Sequence, residues 1–187
     1  RRLVKSGVKE IMLIAQELTY YGLDLYKKRA LPDLLNALAD VEGLHWIRLH
    51  YAYPSKFPLE VIDVMKQREN ICNYLDMPLQ HASNRMLKAM KRQITREEME
   101  TLIGEIRSRI PEICLRTTLI AGFPGETRED VEELKDFLAR QRFDRLGVFT
   151  YSHEEDTSAH ELDDAFSQEE KEARAQEIMD FQQEISL

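Results

Sequence analysis

Residues 114–127 read Cys114-Leu-Arg-Thr-Thr-Leu-Ile-Ala-Gly-Phe-Pro-Gly-Glu-Thr127. The run Cys114 to Ala121 is apolar and β-branched enough to be a strand, and Gly122-Phe-Pro-Gly125 turns the chain. Thr127, followed three residues later by Asp130, opens a helix to Arg140 with a capping box. Strand, tight turn and capped helix make one βα unit. Outward from this stretch the same order recurs. Strands are predicted over Glu10–Gln16, Trp46–Ala52, Asn73–Gln80 and Arg145–Tyr151, and helices over Leu31–Leu38, Leu59–Gln67, Asn84–Met90, Arg96–Ile110 and Gln168–Leu187. Thr95 and Glu98 form a second capping box. Glu10-Ile-Met-Leu-Ile-Ala-Gln16 is too continuously apolar for a half-exposed strand and predicts one buried on both faces. Strand starts near 10, 46, 73, 114 and 145 give right-handed βα crossovers and a parallel sheet. The expected fold class is α/β, about five parallel strands with outer helices, as an incomplete barrel or an open sheet, in one domain over residues 1–187.

Composition agrees. An apolar share of 43% can build a core, and seven Gly with six Pro exclude collagen-like and low-complexity chains. Two cysteines cannot make a disulfide framework. No run is long enough for a membrane span, so no membrane partner is expected and a cytoplasmic location is. A net charge of −8 argues against nucleic-acid binding through this chain. It starts at Arg1 rather than Met, and its last helix pattern ends without Gly or Pro, so an excised fragment is expected.

In parallel α/β folds, chemistry sits at the C-terminal strand ends. Those loops carry Gln16, Glu17, Tyr20, Gln80, His81, Glu126, Tyr151 and Ser152, a set suited to a small polar ligand. Within strands, Arg48 with His50, Asp76 with Gln80, and Arg116 with Thr118 are read as sharing faces. Buried unpaired they would cost several kcal/mol, so they pair with each other or with a ligand. Gly122-Phe-Pro-Gly125-Glu-Thr127 is either a close backbone approach to a ligand or a tight strand-to-helix turn, and it is not a phosphate loop. Cys72 and Cys114 precede their strands, lie 42 residues apart and have no CxxC partner, and the five histidines show no HExxH spacing. No metal ligand and no catalytic residue are predicted here, nor a strand-end Lys for a Schiff base. Met86, Met90 and Met99 are core filler. Glu154-Glu-Asp156, Glu161 and Asp163-Asp164 are a solvated acidic loop, or a face for a basic partner.

In order along nearly the whole chain, Gln16-Glu-Leu-Thr-Tyr-Tyr-Gly22, Arg48-Leu-His-Tyr-Ala-Tyr-Pro54, Asp76-Met-Pro-Leu-Gln-His81, Arg116-Thr-Thr-Leu-Ile-Ala-Gly-Phe-Pro-Gly-Glu-Thr127 and Phe149-Thr-Tyr-Ser152 resemble the radical S-adenosylmethionine methylthiotransferases. Within them the chain resembles the RimO type, which modifies an aspartate of a small-subunit ribosomal protein. The tRNA-modifying type reads differently where this chain has Gln16-Glu-Leu-Thr-Tyr-Tyr-Gly22 and Arg116-Thr-Thr118. The resemblance implies a partial (β/α) barrel of radical-SAM type whose first strand, with its CxxxCxxC loop for a 4Fe–4S cluster, is missing from this chain. It also implies an absent N-terminal domain with a second cluster, an absent C-terminal TRAM domain, and inactivity of the piece alone. The barrel edge left open is then expected to pair, giving a dimer. Carried over by position, the S-adenosylmethionine pocket comprises Gln16 and Glu17 near the ligand amino group, and Gln80 and Arg116 toward ribose and carboxylate. The backbone of Ile120, Ala121 and Gly122 passes the adenine, and Phe149 to Tyr151 flank it. Where the family often has Ser-Gly after the strand-ending Gln, this chain has His81-Ala82. The alternatives are a tRNA methylthiotransferase of the same fold, or a non-catalytic module that docks a basic protein.

Overall fold

The computed structural model describes residues 1–155, 157 and 159–186; Asp156, part of the predicted acidic loop, and Leu187, the predicted end of the last helix, lie outside the described residues. The chain packs as two compact units, Arg1–Pro78 with Leu102–Leu115, and Leu79–Thr101 with Arg116–Leu187. In chain order the elements are α1 (Arg2–Lys5), β1 (Glu10–Leu13), α2 (Leu23–Tyr26), α3 (Leu31–Ala39), β2 (Trp46–Leu49), α4 (Glu60–Gln67), β3 (Ile71–Asp76), α5 (Asn84–Ala89), α6 (Arg96–Arg109), β4 (Cys114–Ala121), α7 (Arg128–Gln141), β5 (Arg145–Thr150) and α8 (Gln168–Ser186). A 3-10 turn spans Leu18–Tyr20.

In the first unit β1, β2 and β3 pair in parallel. Glu10 lies opposite Trp46, Ile11 opposite Ile47, Met12 opposite Arg48 and Leu13 opposite Leu49. The two faces differ. Ile47 and Leu49 are buried, and α4, which packs against β3, contributes buried Val61, Ile62 and Met65 as the periodicity predicts. The other face is open: Met12 is 59% and Trp46 54% exposed, and Ile14 just beyond β1 is 66% exposed. The expectation that β1 is buried on both faces is therefore corrected. A run of Ile, Met and Leu fixes a strand but not whether anything covers each side of it. Polar groups on the open face pair among themselves. Arg48 Nε donates to Glu10 Oε1 at 2.8 Å and its guanidinium lies 5.0 Å from the Tyr74 ring centroid, while His50 Nδ1 faces buried Asp76 at 3.7 Å.

β3 starts two residues earlier than predicted and ends at Asp76, ahead of Pro78, which cannot donate to a ladder. Cys72 therefore lies within β3 and Cys114 opens β4, rather than preceding them; both are half-buried, and burial raises the Cys72 thiol pKa. Gln80 is not on that strand. It belongs to the second unit, where it forms a parallel bridge to Leu119.

In the second unit β4 pairs in parallel with β5, with Thr118 opposite Gly147 and Ile120 opposite Phe149. β4 alternates cleanly. Leu119 and Ala121 are fully buried beside Thr117, whereas Arg116, Thr118 and Ile120 look outward and are half-buried. Val131, Leu134, Phe137 and Leu138 of α7 are fully buried, and Phe137 meets Phe143 at 6.0 Å between ring centroids. Both predicted capping boxes form. Thr95 N donates to Glu98 Oε2 at 2.8 Å, and Thr127 N to Asp130 Oδ2 at 2.8 Å. A third opens α8, where Ser167 N donates to Glu170 Oε2 at 2.8 Å. Met86 and Met99 are buried and Met90 packs against the same core, as expected of filler.

Candidate functional site

The outward face of β4 and β5 bounds a cavity of about 560 Å³ in the second unit. That is within the range of sites for small ligands, roughly 300–1,000 Å³. Its walls include Gln80, Thr118, Ile120, Phe149, Tyr151 and Ser152. Phe149 is 60% exposed, a large ring left uncovered on β5 between half-buried Val148 and Thr150. Tyr151 closes the opposite side. Its ring meets Phe123 edge-on at 5.1 Å, and its hydroxyl donates to Ala159 O at 3.3 Å. Burial, then the charges of Asp164 and Glu154, raise the Tyr151 pKa, so this phenol stays protonated at neutral pH.

Arg116 lies beside the cavity rather than in its wall. Gly147 lies beside it on β5, and a Cβ built there would stand 3.8 Å from Arg116 Nη2 and 3.9 Å from Phe149 Cε2. The guanidinium thus extends across Gly147 toward the exposed Phe149 ring. Gln80 takes a left-handed conformation, φ +75°, which is costly for a residue with a Cβ and tends to mark functional turns. Its backbone is held on both sides: Gln80 N donates to Thr118 O, and Ile120 N to Gln80 O, each at 2.9 Å.

Of the nine positions predicted to contact a cofactor, Gln80, Ile120, Phe149 and Tyr151 line this cavity and Arg116 adjoins it. Ala121 and Gly122 lie underneath. Ala121 is fully buried with its carbonyl accepting from Tyr151 N at 2.9 Å, and Gly122 N is given to Glu126 Oε2 at 3.1 Å. Gln16 and Glu17 belong to the first unit, in the loop after β1. Gln16 is exposed, and Glu17 Oε1 holds that loop by accepting from Thr19 N, Thr19 Oγ1 and Tyr53 N.

Around the Gly122–Thr127 turn, buried polar side chains form a network the sequence reading did not identify. Glu126 is fully buried, and Oε2 also accepts from Arg174 Nη1 at 2.7 Å. His81, with no exposed surface, accepts at Nδ1 from Ala82 N and Ser83 N, both at 2.9 Å. That places its proton on Nε2, which faces Glu126 Oε1 at 3.4 Å without closing a hydrogen bond. Asp130 accepts from Ser83 Oγ at 2.6 Å, from the Thr127 backbone and hydroxyl, and from Arg85. Burial alone would raise the Asp130 pKa, but these donors outweigh it and bring it down to about 2. The acidic loop is also less free than predicted. Glu154, Glu155, Glu161 and Asp163 are exposed, but Asp164 pairs with buried Lys171 at 2.5 Å. The signal for this network was the spacing Lys171, Arg174, Ile178, Gln182 along one side of α8, masked by the charges around it.

The residues present suit one of the two implied cofactors. For S-adenosylmethionine the cavity offers an open aromatic face, apolar Ile120 and polar Gln80 and Thr118, and beside it stands the Arg116 fork, whose geometry matches a carboxylate. For a 4Fe–4S cluster they do not suit. The sequence holds no CxxxCxxC, neither cysteine is in a disulfide, and among the described residues no three His, Cys, Asp or Glu side chains converge as a metal-holding group. Among the described residues no helix is long and apolar enough to cross a membrane.

Comparison with known proteins fits this geometry. The chain is 58% identical over 184 residues, 98% of its length, to the ribosomal protein uS12 methylthiotransferase RimO of Flavobacterium psychrophilum. It is 60% identical over 97% of its length to the RimO of Cytophaga hutchinsonii, and 54% identical over its whole length to that of Bacteroides thetaiotaomicron. It spans 42%, 41% and 43% of these relatives, less than half of each. Among solved structures, coproporphyrinogen III oxidase (HemN) from Escherichia coli, described as a radical SAM enzyme, superposes with a TM-score of 0.74 at 23% identity, over 95% of this chain and 41% of that one. The radical S-adenosylmethionine methyltransferase TsrM from Kitasatospora setae gives 0.60 at 22% identity, over 80% of this chain and 29% of that one. At such identities the likeness speaks for the fold alone, and the expected α/β fold class of radical-SAM type is borne out. Residues 1–138 match the radical SAM superfamily, and the chain belongs to it.

Proposed function

We propose that this chain supplies the S-adenosylmethionine-binding part of an enzyme that methylthiolates an aspartate of ribosomal protein uS12, in the cytoplasm. The observation that carries the reading is identity of 54–60% across almost the entire chain to relatives bearing that activity in their names. The cavity beside β4 and β5 supports it. Phe149 and Ile120 give the adenine a face and an edge, Gln80 and Thr118 offer hydrogen bonds to the ribose, and Arg116 pairs with the ligand carboxylate. Tyr151, held by Phe123 and Ala159, forms part of the wall. Bound here, S-adenosylmethionine supplies radical chemistry at its 5′ carbon, and the cluster that such chemistry uses has no ligands in this chain.

Titration of the chain with S-adenosylhomocysteine by calorimetry is expected to show saturable one-site binding. Arg116→Ala removes a charge-assisted pair and is expected to weaken it about tenfold to a hundredfold. Equal affinity in Arg116→Ala, or no binding by the unaltered chain, overturns the assignment of this pocket. The substrate is tested separately, by mass analysis of uS12 treated with the longer, cluster-loaded protein.

A further inference from the structure

Helix α8 is charged along most of its length, yet the residues it turns inward are Lys171, Ile178 and Gln182, all buried, with Arg174 half-buried between them. Their spacing of three, four and four residues forms one ladder up the helix. The far rung is Gln182, whose Nε2 donates to Phe143 O at 2.8 Å. The other polar rungs reach residues that line the cavity or lie next to them. Lys171 Nζ lies 2.5 Å from Asp164 Oδ2 and 5.1 Å from the Tyr151 ring centroid, and its stem fills the space above Gly122. Arg174 Nη1 donates to Glu126 O at 3.0 Å and Oε2 at 2.7 Å, and its guanidinium stacks 4.2 Å from the Phe166 centroid. Glu126 in turn accepts from Gly122 N, between the cavity-lining residues Ile120 and Phe123.

We propose that Lys171 and Arg174 are positioning residues for this cavity: α8 fixes the Gly122 turn and the Tyr151 wall in the shape that receives the ligand, without touching it. Removing the Arg174 charge leaves a buried carboxylate without its cation, which must hydrate or move. The shortest route to water opens the turn that Glu126 holds. Removing the Lys171 charge leaves half-buried Asp164 without its cation and frees the Tyr151 ring. The proposal rests on reading the cavity as an S-adenosylmethionine site.

Arg174→Met, Lys171→Met, Arg174→Lys and Gln182→Met test it, each followed by melting temperature, by amide exchange of the peptide holding Gly122, and by affinity for S-adenosylhomocysteine. Arg174→Met and Lys171→Met are each expected to speed exchange in that peptide about tenfold and to weaken binding about tenfold. Arg174→Lys restores most of both. Gln182→Met lowers the melting temperature and leaves exchange at Gly122 and affinity unchanged. The proposal is overturned if Gln182→Met shifts both in proportion to its melting temperature, or if Arg174→Met shifts neither. Should the unaltered chain bind no S-adenosylhomocysteine, the ligand assignment falls, and exchange at Gly122 alone decides the role of α8.

Discussion

Gly122→Ala is expected to cost about 3 kcal/mol of stability, enough to lower the melting temperature by roughly 6–12 °C for a chain of this size. Two effects add. Gly122 has φ +73°, and a side chain there carries a left-handed penalty of about 1–2 kcal/mol. The new methyl would also stand 2.5 Å from Lys171 Cγ, 2.9 Å from its Cβ and 3.2 Å from its Cα. The last of these is backbone, so rotating the lysine cannot relieve the clash and α8 must move. Gly104 in α6 is the internal control. A Cβ there meets nothing within 4 Å, so Gly104→Ala is expected to stabilise by about 0.4–1 kcal/mol. Thermal melts of both variants decide the matter, and a Gly122→Ala chain as stable as the unaltered one would show that this contact is not rigid.

Asp130→Asn is expected to cost roughly 2 kcal/mol at pH 7, and the loss should fade in acid. The folded pKa, about 2, lies below the unfolded value of about 3.9. For a carboxyl depressed in this way the stabilisation is complete above the unfolded pKa and disappears as pH falls through the folded one. The window is therefore about pH 4 down to pH 2. Asn keeps the shape but cannot accept the full set of bonds from Ser83, Thr127 and Arg85. Urea midpoints of the two chains between pH 2 and pH 7 measure the difference. A gap that stays constant below pH 4 would assign the loss to packing rather than to charge.

Much of the fold was readable along the chain because its causes are local. The capping boxes at Thr95 and Thr127 join residues three apart, and the strand, turn and helix order of each βα unit is set by nearest neighbours. Local reading failed where a property depends on what lies across space. A run such as Glu10 to Leu13 specifies a strand, but Met12 is exposed because nothing covers that face. By sequence Gln80 continues β3, yet Pro78 ends the ladder and a left-handed turn sends Gln80 to Leu119 instead.

The candidate site divides along the same line. Gln80, Ile120, Phe149 and Tyr151 were legible because strand-end loops and motif resemblance both mark them, and they line one cavity. The network beneath was not. Lys171 and Arg174 look like ordinary solvated side chains in sequence, and Glu126 and His81 like loop groups facing a ligand, since a polar group gives no local sign that a partner 48 residues away will bury it. The amino-acid sequence by itself determined the strand–helix order, the helix starts and the superfamily. Only the tertiary structure decided which charges are buried, because burial needs a partner to offset desolvation, and that partner is supplied by packing rather than by neighbours in the chain.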